Sequence, residues 1–272
     1  MLAVTVWADW CLIRWGTKTL VRRLSFFPLA GFLALMLTAL MPAAVGQSGS
    51  FEIAQSGHAV GTASFQFTAT KEGFDSTSLV KVAMQGLDYA LSKTEQLSSA
   101  NQMEHVLLSA TVNGEAVNVV AAPDSAQLLL NISANGKSST TRLAAHPGAV
   151  FMADFDAGGL ETLLALAVEQ NNRDLWAILP KNAGSIEPVQ LATYADQEGT
   201  LDGKPIPVHH MVATIAGAQT ELFSGPENQL LQAELLEEGF TLIREGFQLK
   251  PPAKPVAPLG GVEGTPPAPA SQ

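Results

Sequence analysis

Between residues 51 and 247 the chain mostly alternates apolar and polar positions with a period of two. Residues 60–68 place Ala63, Phe65 and Phe67 on one face and Thr62, Ser64, Gln66 and Thr68 on the other. That is the pattern of a strand with one dry face and one wet face. The same alternation predicts strands over 51–55, 74–84, 89–97, 103–112, 116–121, 127–133 and 138–143. After a change of pattern near His146-Pro147-Gly148 it predicts further strands over 175–179, 189–196, 200–201, 208–216, 219–223, 230–236 and 240–247. Asn113-Gly114, Asn135-Gly136 and Asp202-Gly203 fall between such runs. Both residues of these pairs tolerate positive φ, so each marks a tight hairpin. Pro123-Asp124 reads as a further turn. Residues 99–108 also fit helical spacing through Met103, Val106 and Leu107, so helix competes with strand there.

One stretch departs from the period of two. Over 156–172, Leu160, Leu163, Leu164, Ala167 and Val168 recur at helical spacing. Asp156 suits the N-cap, Asp154 adds negative charge near the positive end of the dipole, and Asn171 and Asn172 suit the stop. About a dozen short strands with one helix predict a mainly β (α+β) domain. A flat sheet that wide would leave long edges and a bare apolar face. The expected architecture is therefore a curved antiparallel sheet or half-barrel packed around one amphipathic helix. A closed barrel or a two-sheet sandwich is the alternative.

The two ends of the 272-residue chain have a different character. Arg22 and Arg23 precede an apolar run over 26–40, and Ala44 and Gly46 supply small residues before a cut at Gln47. This order is that of a secretory signal peptide. The run is shorter than the ~20 residues of a membrane span, although an uncleaved anchor is the competing reading. Trp7, Trp10 and Trp15 before Arg22 fit no signal pattern and suggest a true start downstream of Met1. The Arg pair invites a twin-arginine reading, but Phe26 comes one position late and the run is strongly apolar, which favours the general secretory route. Residues 1–46 are thus expected to be a signal, 47–249 a β-rich domain, and 250–272 a Pro-rich tail that cannot bury enough surface to fold. The expected location is periplasmic or extracellular, with no stable membrane span after cleavage.

Cleavage would leave 11 basic against 24 acidic side chains, a formal charge of −13. Such a surface repels phosphate backbones and disfavours nucleic acid as a partner. The single cysteine, Cys11, precedes the cut, so the mature chain would have no disulfide, no thiol chemistry and no lipid attachment at its start.

The segments FEIAQSGHAVGTASFQFTATKEGF and ELFSGPENQLLQAELLEEGFTLIREGF resemble secreted bacterial proteins of unknown function whose curved sheet is similar to the lipoprotein-carrier half-barrel. Gly57, Val60, Gly61, Leu230, Leu231, Gly239 and Arg244 are the matching positions. The resemblance covers the two ends of the expected domain. It implies a fold and no functional residue, because function does not follow from fold alone.

Candidate chemistry is sparse. His209 and His210 are adjacent on an expected strand and must point to opposite faces, so they cannot share a metal without a bulge. The spacing predicts no metal site and no cofactor. Asp154 and Asp156 could form an acid–base pair, but helix capping accounts for both. No Gly-x-Ser-x-Gly elbow, phosphate loop or dinucleotide fingerprint occurs, and no catalytic residue is singled out. Phe65, Phe67, Met84, Phe151, Phe155 and Trp176, with Met152, are the residues expected to line an apolar cleft, against the plainer reading that they are core. The leading expectation is a secreted, non-enzymatic β domain that binds a lipid, an apolar small molecule or an envelope protein. A scaffold with a Pro-rich tether and a hydrolase centred near His209 or His210 are the alternatives.

Overall fold

The structure is a computed structural model that describes residues 47–251. The expected signal segment and the Pro-rich tail from residue 252 onward lie outside the described residues. Seventeen strands, one α-helix and one 3-10 turn are found among them.

A meander of long hairpins comes first. It comprises β1 (Ser48–Gln55), β2 (His58–Ala69), β3 (Gly73–Met84), β4 (Leu87–Ser98), β5 (Met103–Val112), β6 (Glu115–Asp124), β7 (Gln127–Ala134) and β8 (Lys137–Ala144). Each pairs antiparallel with the next. A short strand β9 (Ala149–Phe151) leads into α1 (Ala157–Glu169), which returns to β10 (Trp176–Leu179). The 3-10 turn Lys181–Ala183 follows, then β11 (Ser185–Thr193), β12 (Gln197–Leu201), β13 (Lys204–Ile215), β14 (Ala218–Ser224), β15 (Leu230–Leu235), β16 (Phe240–Arg244) and β17 (Phe247–Leu249).

The two halves join through β1, which pairs with β2 on one side and β16 on the other. Ile53 stands opposite Gly61 in one ladder and Leu242 in the other. From β16 the sheet continues through β15, β14, β13 and β11 to β10 and β9. β13 changes partner along its length, pairing with β12 near its start and β11 near its end, while β12 also pairs with β17.

The result is a large, curved, open sheet. It is mixed rather than wholly antiparallel, because β9 and β10 run parallel. The cause is the helix between them, since parallel neighbours need a crossover and cannot be joined by a tight turn.

The turns follow the expected chemistry at three hairpins. Asn113-Gly114, Asn135-Gly136 and Asp202-Gly203 have φ of 52° and 84°, 52° and 71°, and 52° and 73°. Residues 103–112 are the strand that the alternation predicts and not the competing helix, with Val106, Leu108 and Ala110 buried on one face, but two other expectations shift. Pro123 and Asp124 belong to β6, and the turn comes at Ser125. The expected strand over 240–247 is split into β16 and β17 at Gly246, whose φ is +79°.

Helix α1 is capped as expected, with Asp156 Oδ1 accepting from Gly158 N at 3.1 Å. It is shorter than predicted, and Asn171 and Asn172 beyond it adopt positive φ. Its buried surface wraps nearly all round the first two turns, because it lies against β2, β3, β9 and β15. Leu166 is buried where Val168 was expected, and Val168 is 56% exposed. One contiguous core joins the helix to inward-facing residues from β1 through β16. A smaller cluster of Val208, Phe223, Leu231 and Phe247 sits under β17.

Candidate functional site

The strand β4 shows how the site is built. Tyr89, Leu91, Lys93, Glu95 and Leu97 share one face, and all five are buried. Two charged residues therefore occupy positions that the alternation reserves for the core. Lys93 Nζ lies 2.8 Å from Glu95 Oε2 and 2.6 Å from Asp156 Oδ2, and none of the three side chains has any exposure. The neighbouring strand presents Ser76 opposite Glu95 and Ser78 opposite Lys93, both buried on the same face. The N-cap of α1 is thereby anchored to the sheet by a buried ion pair as well as by packing.

Burial alone would push the Lys93 ammonium down, but the charges of Asp156 and Glu95 outweigh it and hold the group above the ordinary lysine range. Burial pushes the Glu95 carboxyl up, against the opposing pull of Lys93.

Immediately before the N-cap, Phe155 adopts φ of +58°. A bulky residue in the left-handed region is disfavoured, and such strain persists only where the surroundings impose it. Here Asp156 is held from below by Lys93, and the Phe155 ring packs edge-on against Tyr89 at 5.9 Å and Phe240 at 4.8 Å. The segment Met152–Asp156 and Leu160 of α1 form the floor of a cleft of about 400 Å³. One wall comes from inward residues of β5 and β6, including Leu108, Ala110, Val112 and Val119. The other comes from Leu179, Ile215 and Leu235, carried by β10, β13 and β15.

Charged groups stand on this lining at Asp154, Lys181 and Glu238. Lys181 Nζ pairs with Asp154 Oδ1 at 2.7 Å, with both side chains substantially exposed. Tyr89 Oη is 3.5 Å from the Asp154 carbonyl oxygen. Burial, and then the charges of Asp154 and Asp156, push the Tyr89 phenol upward, so it stays neutral and can donate a hydrogen bond.

A second titratable group lies further along the helix. Glu161 is 4% exposed. Its Oε2 accepts from Leu230 N at 2.7 Å, and its Oε1 accepts from Gln47 Nε2. Arg244 Nη1 donates to the Leu230 carbonyl at 3.0 Å. Burial pushes the Glu161 carboxyl up to about 7, and the Leu230 amide, the Arg244 charge and Gln47 each pull it back. This carboxyl lines a separate cleft of about 360 Å³ beside Phe67 and Val168.

The six expected lining residues are not gathered in one place. Phe155 lines the main cleft together with Met152. Phe67 lines the smaller one beside Glu161. Phe65 is buried, with its ring 6.0 Å from Phe51 and 5.4 Å from Phe67. Phe151 is fully buried in β9, and Met84 packs at the edge of the core. Trp176 stacks on His146 at 3.8 Å, away from both clefts.

His209 and His210 do point apart. His209 Nδ1 meets Asp196 Oδ1 at 3.0 Å on the exposed side. His210 is buried between Tyr194 and Phe223, with its ring nitrogens 3.2 Å from Gln197 Nε2 and 3.2 Å from Glu221 Oε2. No cluster of three or more His, Cys, Asp or Glu suited to a metal occurs among the described residues. Asp154 and Asp156 are divided between separate partners, Lys181 and Lys93.

The pattern of residues missed Lys93, Glu95 and Glu161. The signal for the first two was present, because both share the parity of Tyr89, Leu91 and Leu97 in β4. No protein family, curated protein or solved structure matches the chain.

Proposed function

We propose that this chain is an exported, non-catalytic β domain that binds an apolar ligand. Residues 1–46 act as its export signal, and the sheet serves as a half-barrel whose concave side receives the ligand beside α1. The observation that carries this reading is the cleft over Phe155. Its volume of about 400 Å³ falls within the range of small-molecule sites. Its walls are largely aliphatic, and its polar lining consists of Tyr89, Gln219, Thr220 and the charged side chains of Asp154, Asp156, Lys181 and Glu238. The floor is held by a buried ion pair and a strained backbone, so the cavity is preorganised and little ordering cost attends binding.

Native mass spectrometry of protein purified from its own envelope fraction, with titration of a fluorescent alkyl probe, tests the reading. A co-purifying apolar molecule and saturable probe binding are expected. Ala110→Trp, which fills the cleft from β5, should abolish probe binding while circular dichroism stays that of a β protein. Unchanged probe binding in this variant would remove the cleft from consideration.

A further inference from the structure

The charges on the cleft lining discriminate between ligands that share an alkyl chain. Three charged side chains reach the solvent side of that lining: Asp154, Lys181 and Glu238. Lys181 is already matched by Asp154 at 2.7 Å. Asp156, the fourth charged residue on the lining, is matched from below by Lys93. Glu238 has no ion-pair partner among the described residues, and Glu237 beside it is also exposed. The uncompensated charge is therefore negative. It is reinforced by a described chain with 10 basic against 23 acidic side chains.

A ligand carboxylate would find Lys181, the one cation on the lining, already paired, and could take it only by leaving Asp154 unmatched; otherwise it has the neutral donors of Tyr89, Gln219 and Thr220. A protonated amine would find the unpaired Glu238 carboxylate on the same lining and would break no existing pair. Alkyl chain and head group are then served by different parts of one cleft, the aliphatic walls of β5, β6 and β13 and the acidic rim.

We infer that the cleft selects a cationic amphiphile, an alkyl chain ending in a protonated amine, over the same chain ending in a carboxylate. This rests on the apolar-cleft reading given above. The effect is bounded by solvent exposure, since a single charge pair near the surface changes affinity severalfold rather than by orders of magnitude.

The test compares dodecylamine, dodecanol and dodecanoate below their micellar concentrations, by calorimetry on residues 47–272 at pH 7 and low salt. The amine should bind about fivefold more tightly than the alcohol, and the carboxylate more weakly than both. Added salt should compress the series. Glu238→Gln should bring the amine towards the alcohol, and Lys181→Gln, by releasing Asp154, should widen the gap between amine and carboxylate. Ala110→Trp should abolish amine binding, and amine binding that survives it would be surface adsorption and would overturn the inference. Equal binding of all three probes, or tightest binding of dodecanoate, would overturn it while leaving the apolar cleft standing. Failure of all three to bind would instead remove the reading on which it rests.

Discussion

At the scale of single residues, the charges inside β4 hold the most consequence for stability. Lys93 has two carboxylate neighbours and no solvent. Removing one partner of a buried pair leaves the others uncompensated, which typically costs ~3–5 kcal/mol. Lys93→Met should lower stability by about that amount in urea denaturation, and a loss below about 1 kcal/mol would show that the cluster is not closed to water. Asp156→Asn separates two roles, because asparagine still caps the helix but no longer offers charge to Lys93. Glu161 makes a different demand, on pH. Its carboxyl titrates near 7 in the fold against an ordinary 4.5. The folded protein therefore holds that proton more tightly than the unfolded chain does. This contribution is fully present below about pH 4.5 and is lost as pH rises through 7. The difference amounts to roughly 3 kcal/mol. Glu95, also raised, acts in the same sense. Unfolding midpoints measured from pH 4.5 to 8 should fall with rising pH, and Glu161→Gln should flatten part of that slope. A slope unaffected by the substitution would place the titration elsewhere.

At the scale of elements, α1 is unusual in being covered around most of its first two turns. Two glycines allow it. A Cβ at Gly158 would come within 2.3 Å of Ser78 Oγ and 3.1 Å of Phe65 Cβ, and one at Gly159 within 2.9 Å of the Phe151 carbonyl. In an exposed helix, Gly→Ala gains about 1 kcal/mol from propensity. Here the near contact with backbone should reverse the sign. Gly159→Ala is expected to cost ~1–3 kcal/mol and lower Tm by several degrees, read by calorimetry. A rise in Tm would mean that the helix can shift away from β9. These contacts also explain which parts of the architecture were legible beforehand. Hairpins such as Asn113-Gly114 could be read because turn chemistry is local. The start of α1 could be read because Asp156 signals locally too, whereas its end falls at Glu169, short of the expected stop at Asn171 and Asn172. The breadth of its burial could not, since Leu166 and Val168 differ only in what the sheet brings against them. The cleft was hidden for the same reason. Leu108 and Leu235 lie on distant hairpins, and only the curvature of the sheet sets them across one cavity. Phe155 alone of the six expected aromatic and Met positions reached it, because it sits in the loop that forms the floor.

At the scale of the molecule, the open sheet has two unlike ends. One end is β9, three buried residues under the helix. The other is β8, whose only ladder among the described residues is with β7 and most of whose residues are exposed. A bare edge is a template for unwanted pairing, and polar or charged edge residues oppose it. β8 follows that rule, with Lys137, Ser138, Ser139, Thr140, Thr141 and Arg142 in succession. Its side chains approach the opposite part of the sheet at Thr141, whose Oγ1 donates to the Ala183 carbonyl at 2.6 Å. That single side-chain bond is a weak clasp beside a backbone ladder. In contrast, β1 is bonded on both edges and carries Phe51 and Ile53 into the main core. Local opening follows burial and the number of bonded neighbours, so β8 and β1 should differ in protection by orders of magnitude. Amide hydrogen exchange is expected to label peptides spanning Lys137–Ala144 first among the strands, with β1, β9 and the first turns of α1 last. Occupancy of the cleft should slow exchange at Met152–Asp156 without slowing β8, because the floor touches the ligand and the edge does not. Protection of β8 equal to that of β1 would mean that the edge is covered, and that the sheet is closed in solution by a partner strand.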